Sequence, residues 1–146
     1  MKMDRLETAI RKTLHQSDRS NADSDLTSLE VLSAGGEGIS DLSKLRDARN
    51  LTYLDLSNNR ITDVTALSGL TKLTELNLRS NQITDITPLA NLFNLKELWL
   101  YENQITDLTP LGKLKNLSKL YLALNNITDE QKAMLMKALP NCDITF

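Results

Sequence analysis

The sequence predicts an α/β solenoid: one right-handed, curved domain whose short parallel strands stack side by side on the concave face and whose two ends are closed by helices. Three observations predict it. A fixed step of 22 residues carries Leu51 to Leu73, Leu95 and Leu117, Asn59 to Asn81, Asn103 and Asn125, Ile61 to Ile83, Ile105 and Ile127, and Asp63 to Asp85, Asp107 and Asp129. A period of that length marks a stack of equal units, each able to bury its apolar face only against its neighbours. Within every unit leucines alternate with variable residues as L-x-x-L-x-L, the period of a strand and not of a helix. At both chain ends the alternation gives way to apolar residues at helical spacing, as a stack with two open faces requires.

Taken in chain order, residues 1–28 read as a helical N-terminal cap, with Leu6, Ala9, Ile10, Thr13 and Leu14 on one helix face. Asn21 then caps a second short helix, ADSDLTSL, that leads into the stack. Residues 29–50 form a degenerate first turn: Leu29, Leu32, Ala34, Ile39, Asp41 and Leu45 fall on repeat positions, Glu37 replaces the asparagine, and the glycines of AGGEG relax the turn. Repeats follow at 51–72, 73–94, 95–116 and 117–138. Thr87-Pro88 and Thr109-Pro110 read as starts of short helical turns on the convex side, with threonine capping and proline first. In the last repeat a C-terminal cap helix at about 130–139, capped by Asp129 and stopped by Pro140, takes the place of the convex turn. A final short strand at about 142–144 turns Cys142 and Ile144 inward, which makes Cys142 a small buried hydrophobe and not a nucleophile.

The unit L-x-x-L-x-L-x-x-N-x-I-x-D resembles the leucine-rich repeat, in the 22-residue class found in bacterial internalins and in a eukaryotic phosphatase regulatory subunit. The segments L..AIR..L and AD..L..L..L.A.G.GI.DL resemble the N-terminal cap of bacterial members, and ALPNCDITF resembles a bacterial repeat terminus. The resemblance implies a non-catalytic recognition module: internalin-like relatives present the concave face to host surface proteins.

Composition narrows the function classes. A formal net charge of -2 leaves no global field to draw in nucleic acid or an anionic membrane. One cysteine and one histidine can form neither an internal disulfide nor a metal cluster, so no metal or other cofactor is expected. The column Asp63, Asp85, Asp107 and Asp129 lacks the interleaved oxygen ligands of a calcium loop and reads as local turn capping. His15 reads as a solvated helix residue without a catalytic partner. The opening MKMDRLETAIRKTLHQ carries charges every few residues and no apolar run, so it is neither a signal peptide nor a membrane span. As written the chain is expected to be a soluble, cytoplasmic product, with native secretion left open. Three sequons, at Asn50, Asn116 and Asn126, are expected by accident in an array so rich in Asn, Leu and Thr.

With the leucines inside, the residues between them must face the concave side. The central column is Ser33, Asp55, Asn77, Trp99, Tyr121 and Asp143; the one before it is Val31, Tyr53, Glu75, Glu97, Lys119 and Asn141; the one after is Gly35, Ser57, Arg79, Tyr101, Ala123 and Thr145. Of six aromatics, Tyr53, Trp99, Tyr101 and Tyr121 lie in these columns. Trp99, Tyr101 and Tyr121 are expected to form a continuous patch flanked by Arg79, Glu97 and Lys119, in the residue types that dominate interface hot spots. Leu124 extends its apolar surface. Asn59, Asn81, Asn103 and Asn125 read as structural, satisfying backbone groups where each strand turns. The expected function is recognition of a protein partner by a monomer or weak homodimer. The alternatives are a structural or self-associating solenoid and, on the shared repeat class alone, a phosphatase regulatory subunit. No acid/base pair or activated nucleophile can be assembled without borrowing scaffold positions, so an enzyme is not expected.

Overall fold

The computed structural model describes residues 4–15 and 26–146. Six three-residue strands, β1 (Val31–Ser33), β2 (Tyr53–Asp55), β3 (Glu75–Asn77), β4 (Glu97–Trp99), β5 (Lys119–Tyr121) and β6 (Asp143–Thr145), form one parallel sheet in sequential order. Leu32, Leu54, Leu76, Leu98 and Leu120 sit in register at the strand centres and are fully buried. Their flanking residues turn to the other side of the sheet. Opposite the strands lie 3-10 turns at Ser43–Leu45, Thr65–Leu67, Thr87–Leu89 and Thr109–Leu111, each burying its last leucine. Each repeat is thus a flat coil whose leucines and isoleucines meet only those of adjacent coils, a one-dimensional stack.

Two asparagine ladders run along the stack. Asn81 Oδ1 accepts from the Ile61 N–H at 3.0 Å, and its Nδ2 donates to the Leu56 and Leu78 carbonyls, both at 3.0 Å, and to that of Arg79 at 3.2 Å. Asn59, Asn103 and Asn125 repeat the arrangement. The residue before each asparagine takes a left-handed backbone: Asn58, Ser80, Glu102 and Leu124 have φ between 55° and 62°. Gly36 fills the same place in the degenerate turn at φ 69°, where the missing Cβ removes the penalty. The second ladder is formed by Asn50, Asn94 and Asn116, whose Nδ2 atoms donate to the carbonyls of Thr27, Thr71 and Phe93 in the preceding coil. It follows the same 22-residue step with one interruption, at Lys72, whose Nζ donates to Asn50 Oδ1, and it occupies two of the three sequon asparagines.

The convex turns are capped by the aspartate column, as its place in the repeat suggests, and not by the expected threonines. The residue at the cap position is Ile86 or Leu108, with no side-chain bond, and Thr87 and Thr109 are already inside the turn. The Asp85 and Asp107 carboxylates, two residues upstream, accept from the Thr87 and Thr109 backbone N–H at 2.9 Å. Asp41 and Asp63 do the same for Ser43 and Thr65. A carboxylate reaches that N–H across two residues, whereas a threonine hydroxyl would need a donor further into a helix than a three-residue turn provides.

At the N-terminus α1 (Arg5–His15) packs against β1, burying Leu6, Ala9 and Ile10 with Leu14 half-buried, while Thr13 is exposed. Asp4 Oδ1 accepts from the Glu7 N–H, capping the helix. The His15 side chain, Asn21 and most of the expected second helix lie outside the described residues; its end is a 3-10 turn at Leu26–Ser28 with Leu26 buried.

The C-terminal cap is α2 (Asp129–Ala138), and two expectations change there. Its N-cap is Thr128, not Asp129: Thr128 has the extended φ of -76° and ψ of 161°, and its side chain accepts from the Gln131 N–H. Asp129 stands one place inside, where a carboxylate favours the positive end of the helix dipole. Gln131 Oε1 in turn accepts from Leu108 N at 2.8 Å, tying the cap to the preceding repeat. The last strand is Asp143–Thr145 instead of 142–144, and its register pairs Lys119 with Asp143, Leu120 with Ile144 and Tyr121 with Thr145. The step has lengthened to 24 because a ten-residue helix needs more chain than a three-residue turn. Asp143 therefore leaves the central column for the one before it, and Thr145 replaces it; Asn141 leaves the face altogether. A slip of two keeps every side chain on its face. Cys142 now precedes the strand and is half-buried, and Ile144 takes the inward place.

Candidate functional site

The open face of the sheet carries the residues singled out by their columns. On β2 to β5 the outward positions are half-buried or exposed, against complete burial of the leucine between them. Parallel pairing puts equivalent side chains of adjacent strands beside one another, about 4.8 Å apart along the sheet. Tyr53, Glu75, Glu97 and Lys119 stand in one row and Asp55, Asn77, Trp99 and Tyr121 in the next.

Trp99 and Tyr121 stack, ring centroids 5.5 Å apart and planes 9° from parallel. Parallel in-register pairing dictates this contact, since both side chains leave adjacent strands in the same direction. Tyr101 does not join them through its ring. It turns to the other side, where Arg79 Nη1 donates to its hydroxyl at 2.5 Å and the Arg79 Cζ lies 5.5 Å from its ring centroid. The expected continuous patch is thus two pairs, Trp99 with Tyr121 and Arg79 with Tyr101. Arg79 Nε is buried without a hydrogen-bond partner. Tyr53 stands two strands from Trp99, across the β3 row, outside the aromatic contact. Glu97 and Lys119 are in register but form no ion pair within 4.0 Å. Leu124 is exposed at the turn that follows β5.

Glu75 completes this surface and was not counted in the site. It is in register with Tyr53 on one side and Glu97 on the other, so two carboxylates stand side by side. The column reading contained that signal, in the Glu75 and Glu97 step of 22, but aromatic content drew the site around Trp99. The Tyr53 phenol is held above its ordinary pKa first by burial and then by the charges of Asp55 and Glu75.

Elsewhere the chemistry is scaffold. Asp63, Asp85 and Asp107 are held below the usual carboxylate range by the threonine hydroxyl and N–H two residues on. Burial pushes the Cys142 thiol up, with Asp143 adding to it, which leaves little thiolate. A cleft of about 410 Å³ between the start of α1 and the first coil is lined by Asp4, Arg5, Asp41 and Arg60 among others, and Arg5 Nη1 there donates to the Glu37 carbonyl. Among the described residues no group of three or more His, Cys, Asp or Glu is placed to hold a metal, and no helix is long and apolar enough to cross a membrane.

Comparison with known proteins agrees with this architecture. The family model for leucine rich repeats (2 copies) matches residues 49–91 and 94–132, more than half of the chain. No curated protein sequence matches. Among solved structures the chain is similar to an internalin, InlF, of Listeria monocytogenes, with 34% identity and a TM-score of 0.86 over 96% of this chain and 41% of that one. It is similar also to internalin C2 of the same species, with 34% identity and a TM-score of 0.76 over 90% of this chain and 58% of that one. A leucine-rich repeat protein of Leptospira interrogans is similar at 28% identity and a TM-score of 0.65, over 84% of this chain and 38% of that one. The chain therefore spans about two fifths to three fifths of the length of the internalins it matches. Leucine-rich repeat proteins generally mediate protein–protein interaction, and internalin-like members are typically non-enzymatic. The repeat match, the six-stranded parallel stack and the two internalin structures together make this chain a member of the leucine-rich repeat family, of the bacterial internalin-like kind.

Proposed function

We propose that the chain is a recognition module that binds a protein partner on the open face of its sheet. Trp99, Tyr121 and Tyr101 are the anchors, with Arg79, Glu97 and Lys119 around them and Tyr53 as an outlying contact. The observation that carries this reading is the half-exposed Trp99–Tyr121 stack, on a face where the core does not need it. Large planar side chains bury much area with few torsions, which is why Trp, Tyr and Arg dominate interface hot spots. The face offers indole, phenols, amide and carboxylates, suited to a polypeptide surface; the carboxylates of Asp55, Glu75 and Glu97 would repel a nucleic-acid backbone. It presents no nucleophile with an orienting base, so its role is binding and not catalysis.

Affinity capture from native lysate tests the reading by comparing the intact protein with Trp99→Ala and Tyr121→Ala. Both variants keep the leucine core and should keep their circular dichroism spectrum. Each should weaken capture of a partner by about 1 to 2 kcal/mol. A partner held equally by all three proteins would remove these residues from the site.

A further inference from the structure

The inference here rests on the recognition face just proposed and concerns the chemistry of what it recognises. Glu75 on β3 and Glu97 on β4 are directly in register, with Asp55 on the same face of β2. Like charges opposite one another across a strand pair destabilise a sheet. The fold does not resolve the conflict with its own cations. Among the described residues the two ion pairs both involve Glu7, and neither Glu75 nor Glu97 has an ion-pair or side-chain hydrogen-bond partner. Of the two cations on this face, Arg79 is held by Tyr101, and Lys119 is more than 4.0 Å from the Glu97 carboxylate. The Tyr53 phenol beside Glu75 is raised first by burial, with the charges of Asp55 and Glu75 adding to it.

Two acidic side chains alone would not define a site. Their neighbours do: Tyr53 stands in register with Glu75, and Trp99 follows Glu97 by two residues on the same strand and face. The two glutamates leave adjacent strands whose backbones run about 4.8 Å apart, a spacing that one ammonium or guanidinium can bridge. Its aliphatic stem would lie on flanking rings that also attract cations. We infer that the face receives a basic polypeptide segment, one lysine or arginine seating between Glu75 and Glu97 while an adjacent aromatic or apolar side chain covers the Trp99–Tyr121 stack. A second copy of the chain fits less well, because face to face it brings the same carboxylates and, with Arg79 held by Tyr101, only Lys119 to meet them.

The test uses Trp99 emission, which belongs to the only tryptophan in the chain. The protein is titrated with three short peptides of equal length in which tyrosine alternates with lysine, glutamine or glutamate. The lysine peptide should bind roughly tenfold or more tightly than the glutamine peptide, with the glutamate peptide weakest. Its advantage should shrink as salt rises to about 0.5 M. Glu75→Gln with Glu97→Gln should abolish the preference, so that the lysine and glutamine peptides bind alike, and leave the melting temperature the same or higher because a repulsion is gone. Peptides that bind without regard to charge, or a preference that survives in the double variant, would overturn the basic segment and leave the recognition face standing. Silence from all three peptides overturns the inference too; the Trp99→Ala capture experiment then decides separately whether the face itself falls.

Discussion

Replacing Asn81 by alanine tests the asparagine ladder, and the structure sets the size of the effect. Asn81 is 8% exposed and makes one accepted and three donated bonds to backbone. Those four do not count equally. The Leu56 carbonyl also receives Asn59 Nδ2, the Leu78 carbonyl also receives Asn103 Nδ2, and the Arg79 carbonyl also receives the Asn58 N–H. Only the Ile61 N–H loses its sole partner. An orphaned buried donor costs about 1 to 3 kcal/mol, and each of the three shared bonds adds a smaller amount near 0.5 kcal/mol, so Asn81→Ala should destabilise by about 2.5 to 4.5 kcal/mol. Urea unfolding followed by circular dichroism reads this as a lower midpoint with little change in slope. Asn125→Ala gives the contrast: its side chain is half-buried at the end of the ladder, water can replace it, and the loss should be smaller. A loss below about 1 kcal/mol for Asn81→Ala, or a larger loss at Asn125, would refute the shared-carbonyl reasoning.

The remaining predictions follow from burial, capping, backbone and charge. Leu98→Ala opens a cavity in a fully buried central coil and should cost about 2 to 5 kcal/mol in urea unfolding, whereas Ile144→Ala, half-buried in the terminal coil, should cost less than half as much. Thr128→Ala removes the bond accepted from the Gln131 N–H and should lower stability by about 1 kcal/mol, with Asp129→Ala affecting it less. Leu124 is 71% exposed with φ 61°, a strained backbone for a leucine, so Leu124→Asn should raise the melting temperature by the equivalent of about 0.5 to 1 kcal/mol. Asp41, Asp63, Asp85 and Asp107 have pKa values depressed in the folded state by the Ser or Thr groups they cap. Their contribution is therefore full above the unfolded value of about 3.9 and is lost as pH falls through it toward the folded values. The melting temperature should be level from about pH 7 to 5 and fall below about pH 4, less steeply when Asp63, Asp85 and Asp107 are replaced by asparagine.

The stack itself was legible because its physics is periodic. A residue 22 positions from Leu54 or Leu76 meets the same neighbours, so the inward leucines and the outward rows of β1 to β5 could be placed by counting. Counting stopped where the unit changed length: α2 adds chain, and β6 is offset by two, which the step could not reveal. At the convex turns the aspartate column caps as read while the threonines do not, and at α2 the cap is Thr128 instead of Asp129; all these residues have cap chemistry and only the backbone angles choose between them. Rotamers decided the rest. Parallel pairing makes Trp99 meet Tyr121, but nothing in the order of residues says that Tyr101 turns to Arg79 instead. The Asn50, Asn94 and Asn116 ladder is harder to read, because Lys72 breaks its 22-residue step and the sequon pattern covers two of its members.

Acrylamide quenching of Trp99 emission in the native protein tests the geometry on which the face depends. An indole on the open side of the sheet predicts a linear Stern–Volmer response at a substantial fraction of the efficiency seen after unfolding in urea, reduced further by a bound partner. Emission that stays unquenched until the protein unfolds would place the indole among the leucines and contradict the account.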